Sequence, residues 1–373
     1  MATNLPDQTI SIAGAPSYWL RNDRVELYVS ALGGHLAPVN FRLKHRWVCP
    51  YSVPPWEAEE PDETHDPVLR LLRGDFFCLP FGGEAKGPIH GFPPNAAWEL
   101  VDRNIRNLVL RAESDNGVEV TKTIALEARH RAVYQTHEVS GLQGRYPAGY
   151  HAILQVPEGQ KALLAFSGFT FGQVAREGFS EPANSQYGIL KPSAQVASPD
   201  AVPLLDGRLS SLREYPNREG FDDLVMLAAP PDAERPFGWS AATFKGYVWL
   251  SLKDARDLPA TLLWFSNGGR HNAPWGGRHR RRIGIEEVCS WFAEGTVASR
   301  REPLRNEGIP TTLRFSRSEP RALRSLHAVH PVPANFGRVA GVEPGDGDEV
   351  KVTSENGHKL NIPLNWRFLR PDL

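Results

Sequence analysis

The 373-residue sequence predicts an all-β protein, a large antiparallel β-sandwich, on three observations. Apolar and polar residues alternate over short runs that end in turn residues, most clearly between Trp98 and Val139. Glycine (33) and proline (32) are frequent enough to punctuate many turns. No stretch carries a long helical stripe and strands do not alternate with helices, which argues against a doubly wound α/β fold.

Taken in order, Arg24-Val25-Glu26-Leu27-Tyr28-Val29 alternates as a strand should, and Gly33-Gly34 turns it into His35-Leu36-Ala37-Pro38-Val39-Asn40-Phe41, an opening hairpin. Residues 49–66 shift to proline and acid, with Pro54-Pro55 before Trp56-Glu57-Ala58-Glu59-Glu60-Pro61-Asp62-Glu63, and read as a solvated loop. Leu108, Leu110 and Ala112 alternate up to a turn at Ser114-Asp115-Asn116-Gly117. Val118, Val120, Ile124 and Leu126 continue the period, and residues 132–139 add a third strand, an antiparallel meander. β-type apolar runs recur at 162–166, 224–228, 247–252, 261–265, 282–285 and 311–315, while 168–218 reads as long loops. A last hairpin pairs 349–353 with 359–362 around Glu355-Asn356-Gly357. The expected organisation is one domain over 18–320, with 321–373 as a C-terminal β-hairpin extension packed on it.

Composition narrows the ligand. With 42 basic and 43 acidic residues the formal charge is −1, so no global field draws the chain to nucleic acid or to an anionic membrane. The run Arg278-His279-Arg280-Arg281-Arg282 suits a phosphate, an acidic sugar or nucleic acid, but in a chain with almost no net charge it reads first as a solvated loop. Three widely spaced cysteines, Cys49, Cys78 and Cys289, indicate neither a disulfide framework nor a zinc cluster and fit a reducing compartment. The first 17 residues lack a leader pattern and no apolar run reaches membrane-span length, so a cytoplasmic location is expected. Neither His327 with His330 nor Asp346-Gly347-Asp348 has metal-ligand spacing, so no metal is expected.

One stretch stands apart. Between Arg73 and Trp98 an arginine, a histidine, five glycines and five aromatic residues fall within 26 positions. Arg73-Gly74 leading into Leu79-Pro80-Phe81-Gly82, followed by His90-Gly91-Phe92 and Trp98-Glu99-Leu100, resembles the pattern of the galactose mutarotase-like (aldose 1-epimerase) proteins, nearest their hexose-phosphate mutarotase branch. The order continues with Tyr150-His151 and Pro157, Phe221-Asp222 before Leu224, and Ile283-Gly284-Ile285-Glu286. The resemblance runs from about Val25 to Phe315 and implies a β-supersandwich.

What the resemblance implies for chemistry is specific. His90 would be the general acid and Glu286 the general base, while Arg73, His151 and Asp222 would hold the sugar; the two histidines are open to exchanging roles. Anomer exchange needs a base for the proton on O1 and an acid for the ring oxygen, after which the ring opens, rotates and recloses, with no cofactor. An aromatic platform is expected at Trp275, whereas Trp264 is equally explained by core packing. This chain departs from the branch in having Glu287 after Glu286, and Asp223 after Asp222, which leaves the sugar preference open. Alternation sends Glu286 and Glu287 to opposite faces of a strand, and Glu286 is the expected base. The predicted ligand is therefore a small sugar or sugar phosphate, with no nucleic acid or membrane partner, handled by a monomer or homodimer in carbohydrate metabolism. The alternatives are a carbohydrate-binding protein of the same fold without turnover, or a sugar lyase or hydrolase. Hydrolysis is disfavoured because it normally uses two carboxylates.

Overall fold

The computed structural model describes residues 8–56, 65–176, 181–232 and 234–372. Two antiparallel sheets face each other. The back sheet has nine strands, in the order Glu214–Tyr215, Ala162–Phe166, Gly238–Phe244, Tyr247–Lys253, Arg321–Pro331, Ala132–Ser140, Glu119–Ala125, Asn107–Glu113 and Glu99–Arg103. The front sheet has six: Phe171–Val174, Phe221–Ala228, Ala260–Asn267, Arg282–Cys289, Ala148–Gln155 and Phe77–Cys78. The three strands of the predicted meander lie side by side near one end of the back sheet, with Glu99–Arg103 added at the edge, and the predicted opening hairpin sits inside a separate five-stranded sheet over residues 10–48. No helix among the described residues is long and apolar enough to cross a membrane.

The core lies where the alternation points. Leu108 faces Ile124 and Ala112 faces Val120 across neighbouring strands, all fully or almost fully buried against the front sheet and the opening sheet. One polar residue breaks the alternation: Lys122 lies in that face beside Leu110, with its Nζ donating to the Gly34 carbonyl at 2.7 Å. The central front-sheet strands read as continuous apolar runs because both of their faces are covered. One face meets the inter-sheet core. The other carries a second cluster with Trp56, Phe76, Phe81, Leu262, Trp264, Trp275, Trp291 and Phe292.

Two sequence expectations change. The expected boundary at 321 falls at the start of Arg321–Pro331, an eleven-residue strand in the middle of the back sheet. Its apolar signal is diluted by Ser325 and His327, both buried. They are satisfied inside the sandwich, where His327 Nδ1 lies 2.8 Å from the Tyr51 hydroxyl and Nε2 lies 3.2 Å from Ser325 Oγ. Beyond it, Val339–Pro344, Glu349–Ser354 and Lys359–Pro363 form a three-stranded sheet that buries Val342, Val350 and Ile362 against the outer face of the back sheet. The expected acidic loop also begins differently: Trp56 is 1% exposed, with its ring against Trp275 and His279, and residues 57–64 lie outside the described ones.

Candidate active site

The stretch from Arg73 to Trp98 crosses the edge of the front sheet. His90 is held by the segment before it: its amide donates to the Gly82 carbonyl at 2.8 Å, its carbonyl accepts from the Leu79 amide at 3.2 Å, and its Nδ1 accepts from the Gly82 amide at 3.2 Å. That last bond assigns the ring proton of the neutral imidazole to Nε2. His90 has φ +64°, a left-handed conformation that a side chain tolerates only where its surroundings dictate it. Gly91 follows at φ +75°, where a Cβ would stand 2.0 Å from the Leu79 carbonyl oxygen, so only glycine lets the two segments touch.

His151 and Glu286 are cross-strand partners on neighbouring front-sheet strands, so their side chains rise from the same face. His151 Nε2 stands 3.4 Å from Glu286 Oε1. Gly284, two residues earlier on the same face, makes room for that carboxylate: a Cβ there would come within 2.6 Å of Oε1. Phe76 stacks on the His151 ring at 4.7 Å, and the His90 ring meets His151 edge-on at 5.1 Å. His90, His151 and Glu286 are thus gathered within one buried cluster from three distant parts of the chain.

Alternation separates the two glutamates as expected. Glu287 points into the sandwich, where it accepts from Ser240 Oγ and Thr261 Oγ1, each at 2.7 Å, and pairs with the Lys253 ammonium. Lys253 also donates to the Ala260 carbonyl at 2.7 Å. Removing one partner of a fully enclosed pair leaves an unmatched charge, so Glu287→Gln should lower unfolding stability by about 3 kcal/mol in denaturant titration. A change below about 1 kcal/mol would contradict a closed network around Glu287.

Arginine is found where the sequence did not single it out. Arg270 reaches the same cluster, its guanidinium 5.0 Å from the centroid of Trp275 and 5.4 Å from that of Trp264, with Nε 3.6 Å from Asp222 Oδ2. Its side chain is 20% exposed, against 3% for Glu286 and 6% for His151, so it is the most open charged group of the cluster. In the sequence Arg270 is one basic residue among 42, within a Gly-rich segment, and no spacing distinguishes it.

Three other expected site residues are differently engaged. Arg73 is buried, its guanidinium donating to the carbonyls of Leu71 (3.2 Å), Ile12 (3.2 Å) and Ala13 (2.9 Å), which ties the first strands to the site loop. Trp275 is 4% exposed, with Trp56, Trp264 and His279 packed edge-to-face around it and Arg270 over its ring, so it offers no open face for a pyranose. Asp222 accepts four hydrogen bonds: Oδ2 from Trp264 Nε1 (3.2 Å) and Ser266 Oγ (2.8 Å), Oδ1 from the amides of Asn267 (3.2 Å) and Gly269 (2.8 Å). A carboxylate has about four lone-pair sites, so Asp222 is already well engaged within the fold. In the basic run, Arg280 and Arg281 line a separate cavity of about 580 Å³, where Glu158 and Glu219 stand among Lys161 and Arg218.

Burial dominates the electrostatics. It pushes the Glu286 carboxyl up to about 8, with Arg270 opposing the rise. It pulls His90 down to about 3, helped by Arg270, and holds His151 well below the usual imidazole range, with His90 adding to the effect. Asp222 is raised by burial against the pull of Arg270 and of its donors Ser266, Gly269 and Trp264. At neutral pH the Glu286–His151 pair therefore carries one proton, on the Glu286 carboxyl, with His151 neutral. Among the described residues, no group of three or more His, Cys, Asp and Glu side chains is placed to hold a metal ion.

Comparison with known proteins finds no matching family model and no curated protein similar in sequence. Solved structures do match. An Escherichia coli K12 protein provisionally named an aldose 1-epimerase superposes with a TM-score of 0.56 over 85% of this chain and 99% of its own, at 14% identity. A galactose mutarotase-like protein from Lactobacillus casei ATCC 334 gives 0.52 over 84% and 100%, at 12% identity. The chain has the galactose mutarotase-like fold. A galactose mutarotase related enzyme from Lactobacillus acidophilus gives 0.51 over 84% and 97%, also at 12% identity. The galactose mutarotase-like sandwich expected from the motif order is therefore the fold adopted, while identities of 12–14% carry the fold alone.

Proposed function

We propose that the protein interconverts the α and β anomers of an aldose, free or phosphorylated, by acid–base ring opening. The observation that carries this reading is the His151–Glu286 pair, two proton-exchanging groups 3.4 Å apart on one sheet face. The proton leaves O1 and another arrives at the ring oxygen, and both oxygens are bonded to the same carbon. Acid and base must therefore lie close together, which favours His151 over His90 as the acid.

Transfer of the pair's single proton from Glu286, where burial favours it, to His151 makes a carboxylate beside an imidazolium, a base and an acid ready at once. Glu286 takes the O1 proton as the C1–O5 bond breaks, and His151 delivers its proton to O5. The carbonyl so formed rotates about C1–C2, and reversal of the transfers recloses the ring and restores the pair. His90, with Nδ1 engaged by Gly82, donates a hydrogen bond from Nε2 to a sugar oxygen. Arg270 supplies further donors to the sugar hydroxyls, the part the sequence assigned to Arg73. Three unpaired cysteines suit a reducing cytoplasm, and the activity belongs to carbohydrate metabolism.

The test is exchange spectroscopy by NMR on the anomers of several free and phosphorylated hexoses, with the spontaneous rate subtracted. Acceleration of at least one sugar is expected. Saturable binding with no acceleration of any sugar would instead make the protein a carbohydrate-binding module on this fold.

A further inference from the structure

Ser266 has one hydroxyl hydrogen and two close partners. Its Oγ lies 2.8 Å from Asp222 Oδ2 and 2.6 Å from His279 Nδ1. Asp222 is surrounded by donors and acts as an acceptor, so the hydroxyl hydrogen goes to Asp222 and His279 must donate from Nδ1. The result is a one-way chain, His279 Nδ1–H to Ser266 O–H to Asp222 Oδ2, in which each bond polarises the next. His279 is 2% exposed, stacked on Trp264 at 5.1 Å, and its Nε2 has no hydrogen-bond partner among the described residues. A buried histidine with one nitrogen left unmatched is expensive as mere filling and calls for a use of the other nitrogen.

We infer that Ser266 and His279 are positioning residues that act through Asp222 to hold the Arg270 guanidinium against Trp264 and Trp275 in the orientation that binds the sugar. The pieces converge on Arg270. Asp222 Oδ2 takes the Ser266 hydroxyl and stands 3.6 Å from Arg270 Nε, while the Trp264 ring touches His279, Arg270 and, through its Nε1, Asp222. Removing the donor at Ser266 leaves Asp222 Oδ2 with the Trp264 indole as its one remaining donor and loosens the oxygen that faces the arginine. This inference rests on the proposed sugar-anomer exchange for its kinetic arm, but its structural arm does not.

Four variants and two readouts test it. Ser266→Ala removes the link, and His279→Phe keeps the stack on Trp264 without the donor. Ser266→Thr keeps the hydroxyl, and His279→Asn keeps an N–H at the place of Nδ1. The first two should raise KM about tenfold, the effect of losing one hydrogen bond to a charged group, with kcat within about threefold of wild type. The second two should stay close to wild type in both constants. In ¹H–¹⁵N spectra the Arg270 Nε–H signal, protected in wild type, should broaden or vanish in Ser266→Ala and His279→Phe and persist in the conservative pair. A fall in kcat without a rise in KM would overturn the inference, as would an unchanged Arg270 signal in Ser266→Ala. If wild type exchanges no aldose, the enzyme reading falls, and the Arg270 signal alone decides whether the chain positions the guanidinium.

Discussion

Replacing Glu286 with glutamine should reduce kcat/KM for anomer exchange by about 10²–10⁴-fold, the usual contribution of a positioned general base, and should make the protein more stable. The two effects have one cause. Burial holds the carboxyl up to about 8, whereas an unfolded glutamate ionises near 4.5. Between those values the folded chain keeps a proton that the unfolded chain has lost. The stability that Glu286 contributes is therefore complete below about pH 4.5 and drains away as pH rises through 8, by about 1.4 kcal/mol for each unit of displacement. Glutamine has no proton to release, so the gain of Glu286→Gln over wild type should be small at pH 5 and largest at pH 9. Thermal unfolding at the two pH values measures this, and a variant less stable than wild type at pH 9 would show that the carboxylate is favourably solvated or paired in the native state. Loss of activity with gain of stability is the pattern expected when a fold accommodates a strained group for chemistry.

The second large effect is a change in the shape of the pH profile. If Glu286 and His151 share one proton, exchange should hold a plateau through neutral pH and fall about tenfold per unit above about 8, where that proton is lost and the acid with it. The acid limb should lie well below the ordinary histidine value, because burial holds His151 there. His151→Asn removes the acid and leaves a lone carboxylate that works only when ionised. Its kcat/KM should be at least about 10²-fold lower at pH 7 and should climb with pH through 8 rather than fall. Wild type and variant thus have opposite slopes on the alkaline side. A wild-type rate that itself climbs through pH 8, with a slope unaltered by His151→Asn, would return the acid role to His90 or to water. The comparison needs no knowledge of the preferred sugar, since any accelerated aldose reports it.

The neighbours Glu286 and Glu287 illustrate how far local pattern reaches. Period-two alternation is a covalent property of a strand, so it separates Glu286 from Glu287 without reference to the rest of the chain, and the structure places them on opposite faces. It also sets out the meander over 99–140 and the final hairpin, where each strand's neighbour is the next in sequence. The strand Arg321–Pro331 escaped because its pattern is interrupted by polar residues whose partners, such as Tyr51, lie 276 residues away in the chain. A buried histidine and an exposed one look alike until those partners are known.

The family resemblance implied His90 and Glu286 as acid and base, with Arg73, His151 and Asp222 as sugar ligands and the two histidines open to exchange. Residue type does not reveal how many hydrogen bonds a group has already made. Arg73 has given its donors to three backbone carbonyls, Asp222 already accepts from four donors, and Trp275 has covered its face with Arg270. Arg270, unremarkable in sequence, keeps the most open charge of the cluster because two tryptophans and Asp222 hold it there. Alternation and motif order are written into neighbouring residues and survive without the fold. Hydrogen-bond capacity is consumed by contacts across the whole chain, so which polar groups remain available to a ligand is decided only when the sheets close.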